Sequence, residues 1–288
     1  MRRTLSAASL LILVASAAGA QEPVLLRITG RQGQANHYQT VMETFMRGGQ
    51  MAAMMNPDTN LPTTRMTMLS TRTMTGTSGD TLMFSEVVDS ASMEMPAMPQ
   101  MAAMMGGAAA MMKGRTTVTK MDNRGRLFSA EVTGGAMAGM SGMGGPGGGG
   151  GPGGGPGGRG GRGGMMGGGN NRGPTPFILP AQPVRPGDTW TDSTSTPGSA
   201  TEPSSTVRGT FKLDRVEQRG GSRVAVVTWT GTITTTGPMG SQVMNAVGEI
   251  DVDLTGQRLS GMNVTMSGSV QTPQGEMPMK MHMTQAVM

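Results

Sequence analysis

"EIDVDLTGQRLSGMNVTM", residues 249 to 266, contains the pattern on which the whole chain is built. Ile250, Val252 and Leu254 alternate with Glu249, Asp251 and Asp253; Thr255-Gly256 follows, and Met262, Val264 and Met266 resume the alternation. Successive side chains on a strand point to opposite faces, so period two marks a strand with one dry face, and Thr-Gly marks the reversal between two of them. The stretch predicts a hairpin whose carboxylates form the solvated side.

The same alternation spreads in both directions. Downstream it returns at Val270 and at Met277, Met279, Met281 and Met283, with a turn around Pro273 to Gly275. Upstream it holds Val207, Phe211 and Leu213, then Ala225, Val227, Trp229 and Ile233, separated by Gly220-Gly221. Earlier still stand "VLLRITG", "HYQTVMETFM", "TRMTMLSTRTM", "TLMFSEVVDS", "RTTVTKMD" and "RLFSAEV". Threonine fills many alternate positions, as on the wet face of an antiparallel sheet. No sustained helical stripe interrupts this, and the expectation is an all-β antiparallel meander.

Two segments break the pattern. Residues 134 to 174 are almost wholly Gly, Met and Pro, and residues 96 to 114 are rich in Ala and Met. Segments with so few side chains to bury read as flexible insertions. The chain thus divides into a first β half, 21 to 133, a linker, 134 to 174, and a second β half, 175 to 288. Asp122, Gly125 and Ser129 match Asp253, Gly256 and Ser260 at one constant offset, which suggests an internal duplication. Related half-sheets form either one curved sheet or two small β domains.

The first twenty residues place Arg2 and Arg3 before an apolar run and end in Ala18-Gly19-Ala20. This is the pattern of a secretory leader cleaved after Ala20, and it predicts a periplasmic or extracellular product with no transmembrane segment in the mature chain. Cysteine is absent, which excludes disulfides, thiolate chemistry and Cys-based metal centres. A net charge of +5 on 288 residues is too small to point to nucleic acid.

At "LPAQPVRPGDTW", residues 179 to 190, Pro180, Pro183, Val184, Gly187, Asp188 and Trp190 form a P-x-x-P-V-x-x-G-D-x-W element. With the strands that follow it, this resembles an uncharacterised family of exported bacterial β-rich proteins, over roughly residues 24 to 288 apart from the insertions. The resemblance implies a fold class and a compartment and brings no catalytic residues. In architecture such a sheet is also similar to the periplasmic lipoprotein carriers.

With 33 methionines, the chain invites two readings of its chemistry. Methionine is a flexible, polarizable side chain suited to varied apolar ligands. A sheet face of Met66, Met68, Met262, Met266, Met277, Met279, Met281 and Met283 is therefore a candidate surface for a lipid or hydrophobic peptide. Thioethers also suit Cu(I), and Met93, Met95, Met98, Met101, Met104, Met105, Met111 and Met112 have the close spacing such a site needs. Along 277 to 283, period two sets the methionines on one face and Lys280 and His282 on the other, which argues against a mixed Met/His site there. His37 and His282 are the only histidines, and neither G-x-S-x-G nor H-E-x-x-H occurs, so the expectation is a protein that is not an enzyme and has no cofactor unless Cu(I).

Overall fold

A computed structural model describes residues 22–46, 58, 60–99, 109–134, 177–196, 204–237, 240–272 and 275–288. Its strands are β1 (Ala35–Met46), β2 (Thr64–Ser78), β3 (Thr81–Glu94), β4 (Thr116–Asp122), β5 (Leu127–Thr133), β6 (Thr189–Thr196), β7 (Ser204–Arg219), β8 (Ser222–Gly237), β9 (Gly240–Asp253), β10 (Arg258–Thr272) and β11 (Gly275–Val287). They form a single antiparallel sheet in the order β5-β4-β3-β2-β1-β11-β10-β9-β8-β7-β6, curled into a nearly closed barrel.

The meander expectation holds, and of the two arrangements left open the chain adopts one continuous curved sheet. The join is made by the first and last strands, paired from Tyr38↔Val287 to Met46↔Met279. Eleven strands are an odd number, so β5 and β6 meet running in the same direction, with no ladder between them. Side chains close this seam instead. Asp192 on β6 binds Arg124 at 2.6 Å and Arg126 at 2.8 Å, both from the β4–β5 turn.

One rim, the base, carries the β4–β5 and β9–β10 turns. The segment ahead of β1 lies across it, burying Val24, Leu26 and Ile28. Its backbone is tied down by Ile28 N–H donating to Asn123 O, Thr29 N–H to Gln257 O, and the Val24↔Val184 bridge. Phe177, Ile178 and Leu179 are buried beside it. The "LPAQPVRPGDTW" element is the clamp of this plug. Arg27 donates to Pro180 O and Ala181 O at 2.7 Å each, Trp190 Nε1 donates to Ile178 O, and Gly187 takes φ 95°, a backbone shape that glycine adopts freely.

The β4–β5 and β9–β10 hairpins are built alike. Asp122 Oδ1 accepts Arg124 and Arg126 N–H, and Asp253 Oδ1 accepts Thr255 and Gly256 N–H. In each a Leu, 127 or 259, is followed by an irregularity in the ladder. Counted between the ladder pairs Met121↔Leu127 and Val252↔Leu259, the second hairpin is one residue longer, and Gln257 rather than Gly256 has the positive φ. Asp253, expected on the solvated side, is only 3% exposed, because capping this turn draws its side chain inward.

Candidate binding cavity

The barrel interior has two contrasting walls. On β6 to β8, Trp190, Phe211 and Trp229 stack across neighbouring strands with ring centroids 5.7 and 5.9 Å apart. Gly209, Gly231 and Gly248 surround Trp229, and a Cβ on Gly248 would lie 2.9 Å from its indole nitrogen. The missing side chains are the space the ring occupies, and Val207, Leu213, Ile250 and Val252 complete a solid core.

The opposite wall encloses a cavity of about 430 Å³. Residues paired directly across antiparallel strands share a face, with Cβ atoms about 4.5–5.5 Å apart, so the register arranges the lining in tiers. One tier runs Val264–Met283–Met42–Met66–Met93 from β10 through β11, β1 and β2 to β3. Above it, Met266 pairs with Met281, and below it Met262, Gln285, Thr40 and Met68 form another tier. Met66, Met68, Met262, Met266, Met281 and Met283 thus line a common space. Met277 and Met279 share that face but lie farther along β11, opposite Val270 and Gly268, outside the lining.

The lower tiers carry a polar group set among Phe84, Met121, Leu127 and Phe177. Arg72 Nε and Nη2 donate to Glu86 Oε2 at 2.9 and 2.6 Å, and Ser70 donates to Glu86 Oε1 at 2.8 Å. The guanidinium carbon of Arg72 lies 5.0 Å from the Tyr38 ring centroid, and the Tyr38 hydroxyl donates to Leu259 O. Arg258, from the base hairpin, binds Asn36 Oδ1 and lies 3.3 Å from Asp253. The cavity leaves 24% of Arg72 and 19% of Glu86 reachable inside the barrel.

Burial alone would push the Glu86 carboxyl up, but the Arg72 charge and the Arg72 and Ser70 hydrogen bonds outweigh it and hold it below the usual carboxylate range. Arg72 gains more from Glu86 and Tyr38 than burial takes away, so the pair stays ionised. Burial raises the Tyr38 phenol, only partly offset by Arg72 and Arg258.

The copper candidates are placed differently. Met93 lies on β3, outside the 96 to 114 insertion, and faces Met66 across the ladder. Met95 and Met98 are packed at 3% and 2% exposure, Met111 is exposed, and Met112 reaches the cavity lining. Met101, Met104 and Met105 lie outside the described residues. His282 is on the outer face, 2.9 Å from Asn263 Oδ1 and 3.5 Å from Glu43, and His37 is also outside, on Thr71. The polar floor was not expected, yet it is encoded. Arg72 and Glu86 occupy inward positions of period two, in step with Met66 and Met68 and with Leu82 and Phe84.

A second hollow, about 580 Å³, is a shallow dish over Gly209 and Gly231, lined by threonines with Asp192, Ser193 and Arg208. The chain matches no family model, no curated protein and no solved structure.

Proposed function

We propose that the chain is an exported, non-catalytic carrier that holds the apolar chain of a lipid inside its barrel. The observation that carries this reading is the 430 Å³ space between methionine tiers contributed by β10, β11, β1 and β2. Its volume falls in the range of small-molecule sites, roughly 300–1,000 Å³, and its lining is adaptable. A lipid suits it better than a hydrophobic peptide. Both neighbours of β11, β1 and β2 are already paired strands, so a peptide backbone in the lumen would meet no free strand edge for its N–H and C=O groups.

The leader-like residues 1 to 20 support export to the periplasm or beyond. Outward positions such as Thr228, Thr230, Thr232 and Thr234, and the pair Glu43 and Arg65, suit water rather than the apolar belt of a membrane barrel. No helix among the described residues is long and apolar enough to cross a membrane. A binding rather than catalytic role agrees with both histidines lying on the outer face, away from the cavity.

Mass spectrometry of solvent extracts of the purified chain, with titration by an environment-sensitive apolar fluorophore, tests the reading. Met266→Trp, which fills the cavity, is expected to weaken fluorophore binding at least about tenfold with an unchanged melting temperature. Undiminished binding in that variant, or no binding by the native chain, would sink the proposal.

One observation favours a second reading, Cu(I) binding: the tier of Met283, Met42, Met66 and Met93 aligns thioethers from four adjacent strands. Titration against a competing Cu(I) chelator decides it, and failure to bind more tightly than about micromolar ends it.

A further inference from the structure

We infer that the ligand is a long-chain monocarboxylate seated head-down, its carboxylate against Arg258 and Arg72 at the base of the cavity and its chain among the methionines. This rests on the carrier reading and adds the head group and the orientation to it.

The lining is divided by height. Asn36, Tyr38, Arg72, Glu86 and Arg258 lie toward the plugged base, set among apolar residues such as Phe84, Met121 and Phe177, and the methionine tiers beyond them carry no charge. A purely apolar ligand gives no reason to hold charges in the lumen, where desolvation works against each of them. From Asn36 to Met42 the cavity wall runs six residues along β1, about 20 Å of strand at ~3.4 Å per residue. With strands tilted by about 40° this is about 16 Å along the barrel, a length suited to the head and much of an extended chain.

The sign of the head follows from the charges. Arg72 and Arg258 line the cavity, and Glu86, already bound to Arg72, is the one carboxylate in the lining. Asp253, the partner of Arg258 through Oδ2, lies outside the lining, so the lumen meets the cation of that pair and not its carboxylate. Arg258 is held at Nε by Asp253 and at Nη1 by Asn36, so its planar group is oriented before any ligand arrives. An oriented guanidinium matches a carboxylate in both charge and fork geometry.

The test compares hexadecanoic acid with its methyl ester by calorimetric titration into the full mature chain. The acid is expected to bind at least about tenfold more tightly, the margin of one charge-assisted contact. Arg258→Gln should abolish that margin by weakening the acid more than the ester, and Arg258→Lys should restore part of it. Equal binding of acid and ester by the native chain would overturn the inference and leave the carrier reading standing. Absence of binding by either would overturn the carrier reading and this inference with it. A folded Arg258→Gln chain that still prefers the acid would also overturn it. If that variant does not fold, the native comparison of acid with ester decides alone.

Discussion

The β6–β9 wall and the β10–β11–β1–β3 wall face the same lumen and fill it in opposite ways. The first uses rigid rings and glycine spacers, so that Trp229 is 2% exposed and its neighbours have no room to shift. The second uses flexible thioethers and leaves space. Interior volume is therefore set by residue type at equivalent strand positions, since the backbone ladder is continuous through both walls. The stiff wall is filled by its own side chains, and the soft wall borders the cavity.

The largest effect should come from breaking the stiff wall. Trp229→Ala is expected to cost about 3–5 kcal/mol, seen as a large fall in denaturation midpoint, because the enclosing strands cannot collapse into the void. A cost below about 1 kcal/mol would show that this wall is no more tightly packed than the other.

Next comes the seam where the walls meet away from β1 and β11. Burial tends to raise the Asp192 carboxyl, but hydrogen bonds from Arg126, the Ser193 N–H and Arg124 overcome it and hold it below its usual range. Asp192→Asn should cost about 2–3 kcal/mol and speed amide exchange in 127–133 and 189–196 more than in β1 and β11. Uniform acceleration along the chain would instead mean that the seam is not a separate element.

A smaller effect is expected at the floor of the soft wall. Glu86 is held low in the folded chain, so it stabilises above the unfolded carboxylate value, about 4.3, and that contribution is lost as pH falls through the lower folded value. Glu86→Gln should cost about 1–2 kcal/mol at neutral pH and flatten the acid limb of the stability profile. An unchanged acid limb would remove Glu86 as its source. The smallest effect belongs to the methionine tier. Replacing Met66 and Met283 together by Leu conserves volume and should cost less than about 1.5 kcal/mol by chemical denaturation.

This contrast was only partly legible in the sequence. Period two is a local property, so it disclosed the strands, the inward methionines of β10 and β11, and the outward His282. Closure depends on pairing Tyr38 with Val287, residues at opposite ends of the chain, and nothing local encodes that meeting. Register slips hid more. The ladder passes from Leu69↔Ser90 to Ser70↔Val88, leaving Asp89 over, so the alternation that includes Glu86 does not run straight on to Met93. The polar floor was visible as charges in step with apolar neighbours, but only if a charge inside an apolar stripe is treated as a lumen position.

The β1–β11 join has a consequence in time. Contacts between residues so far apart in sequence form late, since the whole intervening chain must be ordered enough to bring them together. During synthesis β1 waits, one edge uncovered, for a partner that is the last strand to be made. Met42 and Met283, neighbours in the cavity wall, come from these two strands. On the carrier reading, loading has to follow completion of the chain: a chain ending before Gly275 would have the plug and ten strands but would lack the β11 side of the cavity wall.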